Sequence, residues 1–199
     1  MHYLLTLVLP ALILSLLCAQ DGIASGEPSG QPLDVPQLME LMAQVTSRQD
    51  TFTETKTVSM LTQPLILKGT LSYTRPDHVE KHVASPYEEH LVVDGDVLTL
   101  ANKDGTKRVK VKSHPLIWSF VEAIRASLAG EVSTLRRFYH VKLAGTQQRW
   151  SLTLRPLDRQ AAEYLTSIAL TGRGNRLTRV EIQEAGGDHS VMQIHEQTS

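Results

Sequence analysis

The sequence predicts a mainly β protein with helices in the minority, and three observations point to antiparallel sheet. Leu67, Gly69, Leu71 and Tyr73 alternate with Lys68, Thr70, Ser72 and Thr74, the two-residue period of a strand with one apolar and one wet face. Asp94-Gly95 separates Leu91-Val92-Val93 from Val97-Leu98, and a two-residue type I′ turn needs positive φ at both central positions, which Asp and Gly tolerate. From Phe138 onward, short strand-like runs alternate with Ala144-Gly145-Thr146, Gly172-Arg173-Gly174-Asn175 and Ala185-Gly186-Gly187-Asp188. Turn signals so closely spaced imply a sandwich or a barrel.

Taken in order, the chain opens with an apolar run from Tyr3 to Leu17, followed by small and polar residues. The run falls short of the roughly 20 residues that span a bilayer, and Gly22-Ile23-Ala24 offers a signal peptidase the small-x-small pattern. Residues 1–24 therefore read as a signal peptide. Cys18 is the only cysteine, so no intrachain disulfide forms. Lipid anchoring through Cys18 is disfavoured, because Leu17 stands where a small residue normally precedes a lipidated cysteine. Residues 25–35 are rich in Ser, Gly and Pro and read as a flexible linker, leaving 36–199 as a single domain.

That domain begins with a helix from Asp34 or Pro36 to about Ser47, since Leu38, Leu41, Met42 and Val45 share one face. A first strand is expected from Phe52 to Met60, with Thr51, Thr53, Thr55 and Thr57 on one side. Residues 66–100 then hold three short strand runs stitched by Arg75-Pro76, Ser85-Pro86 and Asp94-Gly95. Arg108 to Lys112 reads as a solvated strand. Ser113 is expected to open a second helix that carries Ile117, Phe120, Val121, Ile124 and Leu128 at helical spacing and ends at Gly130. The segment Asp158 to Glu163 is a loop or a single helical turn.

Composition excludes several function classes. Twenty basic residues against 21 acidic give a net charge of −1, which makes no electrostatic case for nucleic acid. Eight histidines are many for 199 residues, but His78 and His82 on one strand would stand about 13 Å apart, and no zinc-type ligand spacing is present. Glu88 and Glu89 are adjacent and face opposite sides of a strand. Neither a nucleophile elbow, a His-Glu-x-x-His helix nor a phosphate-cradling loop occurs. No catalytic, metal or cofactor site is expected.

The periodicity does supply an apolar face. Leu67, Leu71, Tyr73, Leu91, Val93, Leu98, Leu100, Trp150, Leu152, Leu154, Ile168 and Leu170 can line the inside of a curved sheet, and Ile117, Trp118, Phe120, Val121 and Ile124 can close over it. The same pattern suits a filled core or a hollow one.

Four short motifs in register resemble a known family. Phe52-Thr53-Glu54, Gly69-Thr70-Leu71-Ser72-Tyr73-Thr74-Arg75-Pro76, Ser85-Pro86-Tyr87 and Leu91-Val92-Val93-Asp94-Gly95 are similar in order and spacing to the periplasmic lipoprotein carriers of the LolA family. Leu154-Arg155-Pro156 looks like that family's later Leu-x-Pro. Val79, Glu80 and Lys81 stand where the family usually has an aromatic and a Trp, which suggests a divergent branch. The resemblance implies an incomplete antiparallel β-barrel, a half-barrel, with an N-terminal helix and a central lid helix over a hydrophobic cavity. It implies a monomeric, non-catalytic carrier in the periplasm that takes lipid or lipoprotein acyl chains from an inner-membrane transporter of ABC or RND type to an outer-membrane acceptor. It also implies that Arg75 is the latch holding the empty lid closed. The alternative it leaves is a periplasmic sensor or regulatory domain, or an acceptor of the LolB kind, that binds lipid or a partner protein.

Overall fold

The computed structural model describes residues 31–197. After helix α1 (Val35–Ala43) come strands β1 (Ser47–Thr57), β2 (Leu65–Thr74), β3 (His78–Ser85), β4 (Glu89–Asp94), β5 (Val97–Asn102) and β6 (Gly105–Lys110). A 3-10 turn at Val111–Ser113 leads into helices α2 (Pro115–Ala129) and α3 (Val132–Phe138). Strands β7 (Tyr139–Thr146) and β8 (Arg149–Pro156), the single turn α4 (Arg159–Ala162), and strands β9 (Leu165–Arg173), β10 (Arg176–Glu184) and β11 (His189–Glu196) complete the chain.

The eleven strands of the described residues form one antiparallel sheet in the order β6-β5-β4-β3-β2-β1-β11-β10-β9-β8-β7. The first and last strands pair in the middle, Phe52 opposite Ile194 and Glu54 opposite Met192. Strands β6 and β7 are therefore the two outer edges, and the sheet stays open. The chain between these edges has to cross a face of the sheet, and residues 111–138 do so as α2 and α3. That connection places the helices inside the curve of a half-barrel.

Local chemistry fixes the ends of the helices. Asp34 caps α1, its carboxylate accepting from the Gln37 N–H at 2.8 Å while the Gln37 side chain accepts from the Asp34 N–H at 3.0 Å, a reciprocal pair that satisfies two exposed donors. Helix α2 ends at Gly130, which is left-handed at φ 78°. A Cβ there would lie 2.2 Å from the Met39 carbonyl oxygen of α1, so the close approach of α1 and α2 requires glycine as much as the cap does. Among the described residues no helix is long and apolar enough to cross a membrane.

Several expectations need correction. The stretch 66–100 holds four strands rather than three runs, because each of its three connections is a hairpin. The first strand starts at Ser47, ahead of Phe52, since β2 and β11 offer partners along its whole length. Ser113 does not cap α2: it ends the 3-10 turn, and His114 occupies the N-cap without a side-chain hydrogen bond. Val111, expected on a solvated strand, is fully buried under Val121 and Val93. Helix α3 fills a stretch for which no element was expected, and it takes in Phe138, so the strand expected from Phe138 begins at Tyr139. Pro32 and Leu33, assigned to the linker, already pair with the edge strand: Leu33 N–H donates to the Gly145 carbonyl at 3.0 Å. The signal-peptide reading, Cys18 and the linker up to residue 30 lie outside the described residues.

Candidate functional site: an apolar cavity under the helices

Between the concave face of the sheet and helices α1 and α2 lies a cavity of about 630 Å³, inside the roughly 300–1,000 Å³ range of small-molecule sites. Its walls come from nearly every element. Leu71, Tyr73, Leu91, Val93, Leu98, Trp150, Leu152, Ile168 and Leu170 line it from the strands, and Ile117, Phe120, Val121 and Ile124 from α2.

Four of the expected residues do not reach it. Leu67 is buried with Phe52 and Val83, and Leu154 is fully buried in the cluster that holds Leu135 and Tyr139, none of which line the cavity. Trp118 stands on another side of α2, with Phe138 edge-on at 5.0 Å and the Arg137 guanidinium 5.6 Å from its ring. Leu100, on the same strand as Leu98, does not line the cavity either. The hollow is thus flanked by filled regions. Trp150 marks one boundary, its indole N–H donating to the Gly174 carbonyl at 2.9 Å and its ring lying where a Cβ on Gly172 would come within 2.2 Å.

Sequence reasoning missed the polar part of the lining. The inward positions of β1 read Arg48, Asp50, Phe52, Glu54 and Lys56, and all but Phe52 line the cavity. Glu54 is buried and forms an ion pair with the Lys81 ammonium, which also stands 5.2 Å from the Phe52 ring centroid. Toward the other end of β1, Arg48 donates to the Asn175 carbonyl at 2.9 Å, and Asp50 faces Arg176 at 3.6 Å. Burial pushes the Asp50 carboxyl above its ordinary range despite the opposing pull of Arg48 and Arg176, and burial together with Arg176 lowers the Arg48 guanidinium. The signal for this stripe was the alternation itself: Thr at every odd position from 51 to 57 leaves the charged even positions to face inward.

The pair Glu80-Lys81 divides between the two faces. Lys81 points into the cavity, whereas Glu80 lies on the outer face against His90, 3.3 Å from its Nδ1. The histidines also pair otherwise than one strand would suggest: His82 stands directly opposite His90 across β3 and β4.

Arg75 lies outside the cavity and is exposed. Its contacts are nevertheless specific. One guanidinium nitrogen donates to the Ala43 carbonyl at the end of α1, and the other to the Ala129 carbonyl at the end of α2, at 3.2 Å. Helix C-termini present unpaired carbonyls and partial negative charge, and a planar guanidinium can serve two of them at once. A second link holds α2 to the sheet from inside: Ser119 Oγ donates to Tyr139 Oη at 2.9 Å, and Tyr139 Oη donates to the Ser119 carbonyl at 2.8 Å. The Tyr73 hydroxyl is buried and lacks a hydrogen-bond partner among the described residues, and burial raises its pKa.

The comparison with curated proteins gave no match. Among solved structures the chain is similar to a LolA superfamily protein from Nitrosomonas europaea, at 11% identity over 84% of this chain and 95% of that one, with a TM-score of 0.43. It is also similar to a chain of the Pseudomonas aeruginosa MucA/MucB complex, at 12% identity over 82% and 56%, TM-score 0.44. A third likeness is to a chain of the Clostridioides difficile complex of the CwlD amidase with the GerS lipoprotein, at 12% identity over 74% and 82%, TM-score 0.37. Likenesses at this distance say nothing about function. The sequence itself matches the family described as outer membrane lipoprotein carrier protein LolA-like over residues 27–194. With that match spanning the sheet, the helices and the cavity between them, the chain belongs to the LolA-like family and is a divergent branch of it.

Proposed function

We propose that the chain is an exported, periplasmic carrier that takes the acyl chains of a lipid or lipoprotein into its cavity and passes them from an inner-membrane transporter to the outer membrane. The observation that carries this reading is the apolar hollow of about 630 Å³ between sheet and helices, which a protein built only for stability would fill. A buried methylene contributes about 0.8 kcal/mol, so a chain of some sixteen carbons would contribute on the order of 12 kcal/mol gross if fully enclosed. Release at that affinity is slow. Two features would lower it: helix α2, which lines the cavity, would close on it as the ligand leaves, and the Glu54–Lys81 pair interrupts the apolar lining. In this reading Ile117, Phe120, Val121 and Ile124 form the lid, and Arg75 is the latch that favours its closed, empty position.

The test is lipid traffic. Protein purified from its native envelope should carry lipid detectable by native mass spectrometry, and it should move labelled acyl lipid from donor to acceptor vesicles. Protein that never carries lipid would sink the carrier reading. Binding without hand-over would leave a sensor or an acceptor as the better account.

A further inference from the structure

The outer face of the sheet, opposite the cavity, carries a cluster that the carrier reading does not use. His82 of β3 and His90 of β4 are direct cross-strand partners, and their rings stack at 4.0 Å with 13° between planes. Glu88, in the connection between the two strands, turns back over them: its Oε1 lies 2.5 Å from His82 Nε2 and 3.2 Å from His90 Nε2. One donor atom from each of the three residues lies within 4.8 Å of the other two. We propose that His82, His90 and Glu88 form a site for a borderline divalent transition-metal ion, with Glu80 positioning His90.

Two of the three donor separations suit such an ion, and both rings have to turn out of their near-parallel stack so that each Nε2 lone pair, which lies in its ring plane, points at it. Metal–ligand distances of about 2.0–2.1 Å in a tetrahedral shell put donor atoms roughly 3.3 Å apart. His90 Nε2 and Glu88 Oε1 already stand at 3.2 Å, and His82 Nε2 needs to move by less than 1 Å from Glu88 (2.5 Å now). The entering ion takes the place of the ring N–H hydrogens that face the carboxylate. Three protein ligands leave a fourth position for water. A second observation points the same way: Glu80 Oε1 lies 3.3 Å from the other nitrogen of His90, Nδ1, and a carboxylate on the far nitrogen fixes the ring orientation of a ligating histidine. Imidazole and carboxylate donors suit Zn²⁺ and, more tightly, Cu²⁺ in the general order of divalent affinities. The ion would staple β3 to β4 from outside, where the opposite faces of those strands supply Val79, Leu91 and Val93 to the cavity wall.

The experiment is calorimetric titration of the untagged protein with Zn²⁺ alone, with thermal unfolding measured beside it. One site per chain and a higher unfolding temperature with Zn²⁺ are expected. His82→Ala and His90→Ala should each weaken binding at least tenfold and abolish the thermal shift, and Glu80→Gln should weaken it by about 10- to 100-fold. Glu88→Gln, in an exposed connection, serves if a histidine variant unfolds and should also weaken binding at least tenfold. His140→Ala, on an exposed position of β7 outside the cluster, should change nothing. No binding, or binding indifferent to His82, His90 and Glu88, overturns the proposal. Neither result bears on lipid transfer, which belongs to the other face.

Discussion

Arg75 ties together the C-terminal ends of two helices that already approach closely at Gly130. A charged donor shared by the Ala43 and Ala129 carbonyls, in an exposed setting, contributes about 1–2 kcal/mol to the closed arrangement. Arg75→Leu should therefore fold and still bind lipid, but it should release lipid about 5- to 30-fold more slowly, because the empty closed state that competes with the ligand has lost its tie. Unchanged transfer kinetics between vesicles would remove Arg75 from the site. The Glu54–Lys81 pair makes a different prediction. Both side chains are largely withdrawn from water, at 6% and 23% exposure, so removing one strands the other. Lys81→Ala should cost about 2–3 kcal/mol in urea unfolding, while Glu54→Leu with Lys81→Met should recover most of that loss and tighten binding of a purely acyl probe. A double variant that loses as much as the two single variants added together would mean that the pair is not coupled.

At the scale of elements, helix α2 depends on the one residue that lets it end against α1. Gly130→Ala forces a Cβ into left-handed backbone and toward the Met39 carbonyl, 2.2 Å away, and should lower stability by at least about 2 kcal/mol. Thermal unfolding reads this directly, and an unchanged midpoint would show that α1 and α2 can separate freely. The Gly130 cap was legible because a glycine after an apolar helical run has few other meanings. A hairpin between β4 and β5 was legible for the same reason, although its two-residue loop is Gly95-Asp96, one residue later than Asp94-Gly95, because Asp94 itself pairs with Val97. Helix α3 was not, since Val132, Leu135 and Phe138 fit a strand-rich context as readily as a short helix, and only the need to reach β7 selects the helix. The inward charges of β1 went unread because charged positions are ordinarily assigned to water, and the partner that tolerates Glu54 comes from β3. Likewise the histidines were compared along one strand, whereas the relation that brings His82 to His90 is the register between two.

For the whole molecule, what matters is that an eleven-stranded sheet is held open by the chain that joins its edges. The pattern of apolar residues predicted an inner face but could not say whether it was filled, because Leu67 and Leu154 in the solid regions and Leu71 and Leu152 on the cavity wall have the same periodicity. Hollowness is a property of how far α1 and α2 stand off the sheet, which no local signal encodes. It is testable by filling the space. Leu91 lines the cavity from β4 and is only partly buried, so Leu91→Trp places an indole in the hollow without displacing a packed neighbour. Added apolar contact in an existing void costs no cavity and gains dispersion and burial, so the variant should unfold at or above the wild-type temperature. The same indole occupies ligand space, and bound lipid in native mass spectra should fall at least tenfold. A filled core would respond in the opposite way, with overpacking of about 1–3 kcal/mol and no specific loss of ligand. Stability and occupancy measured on one variant therefore separate a carrier's cavity from a loosely packed interior.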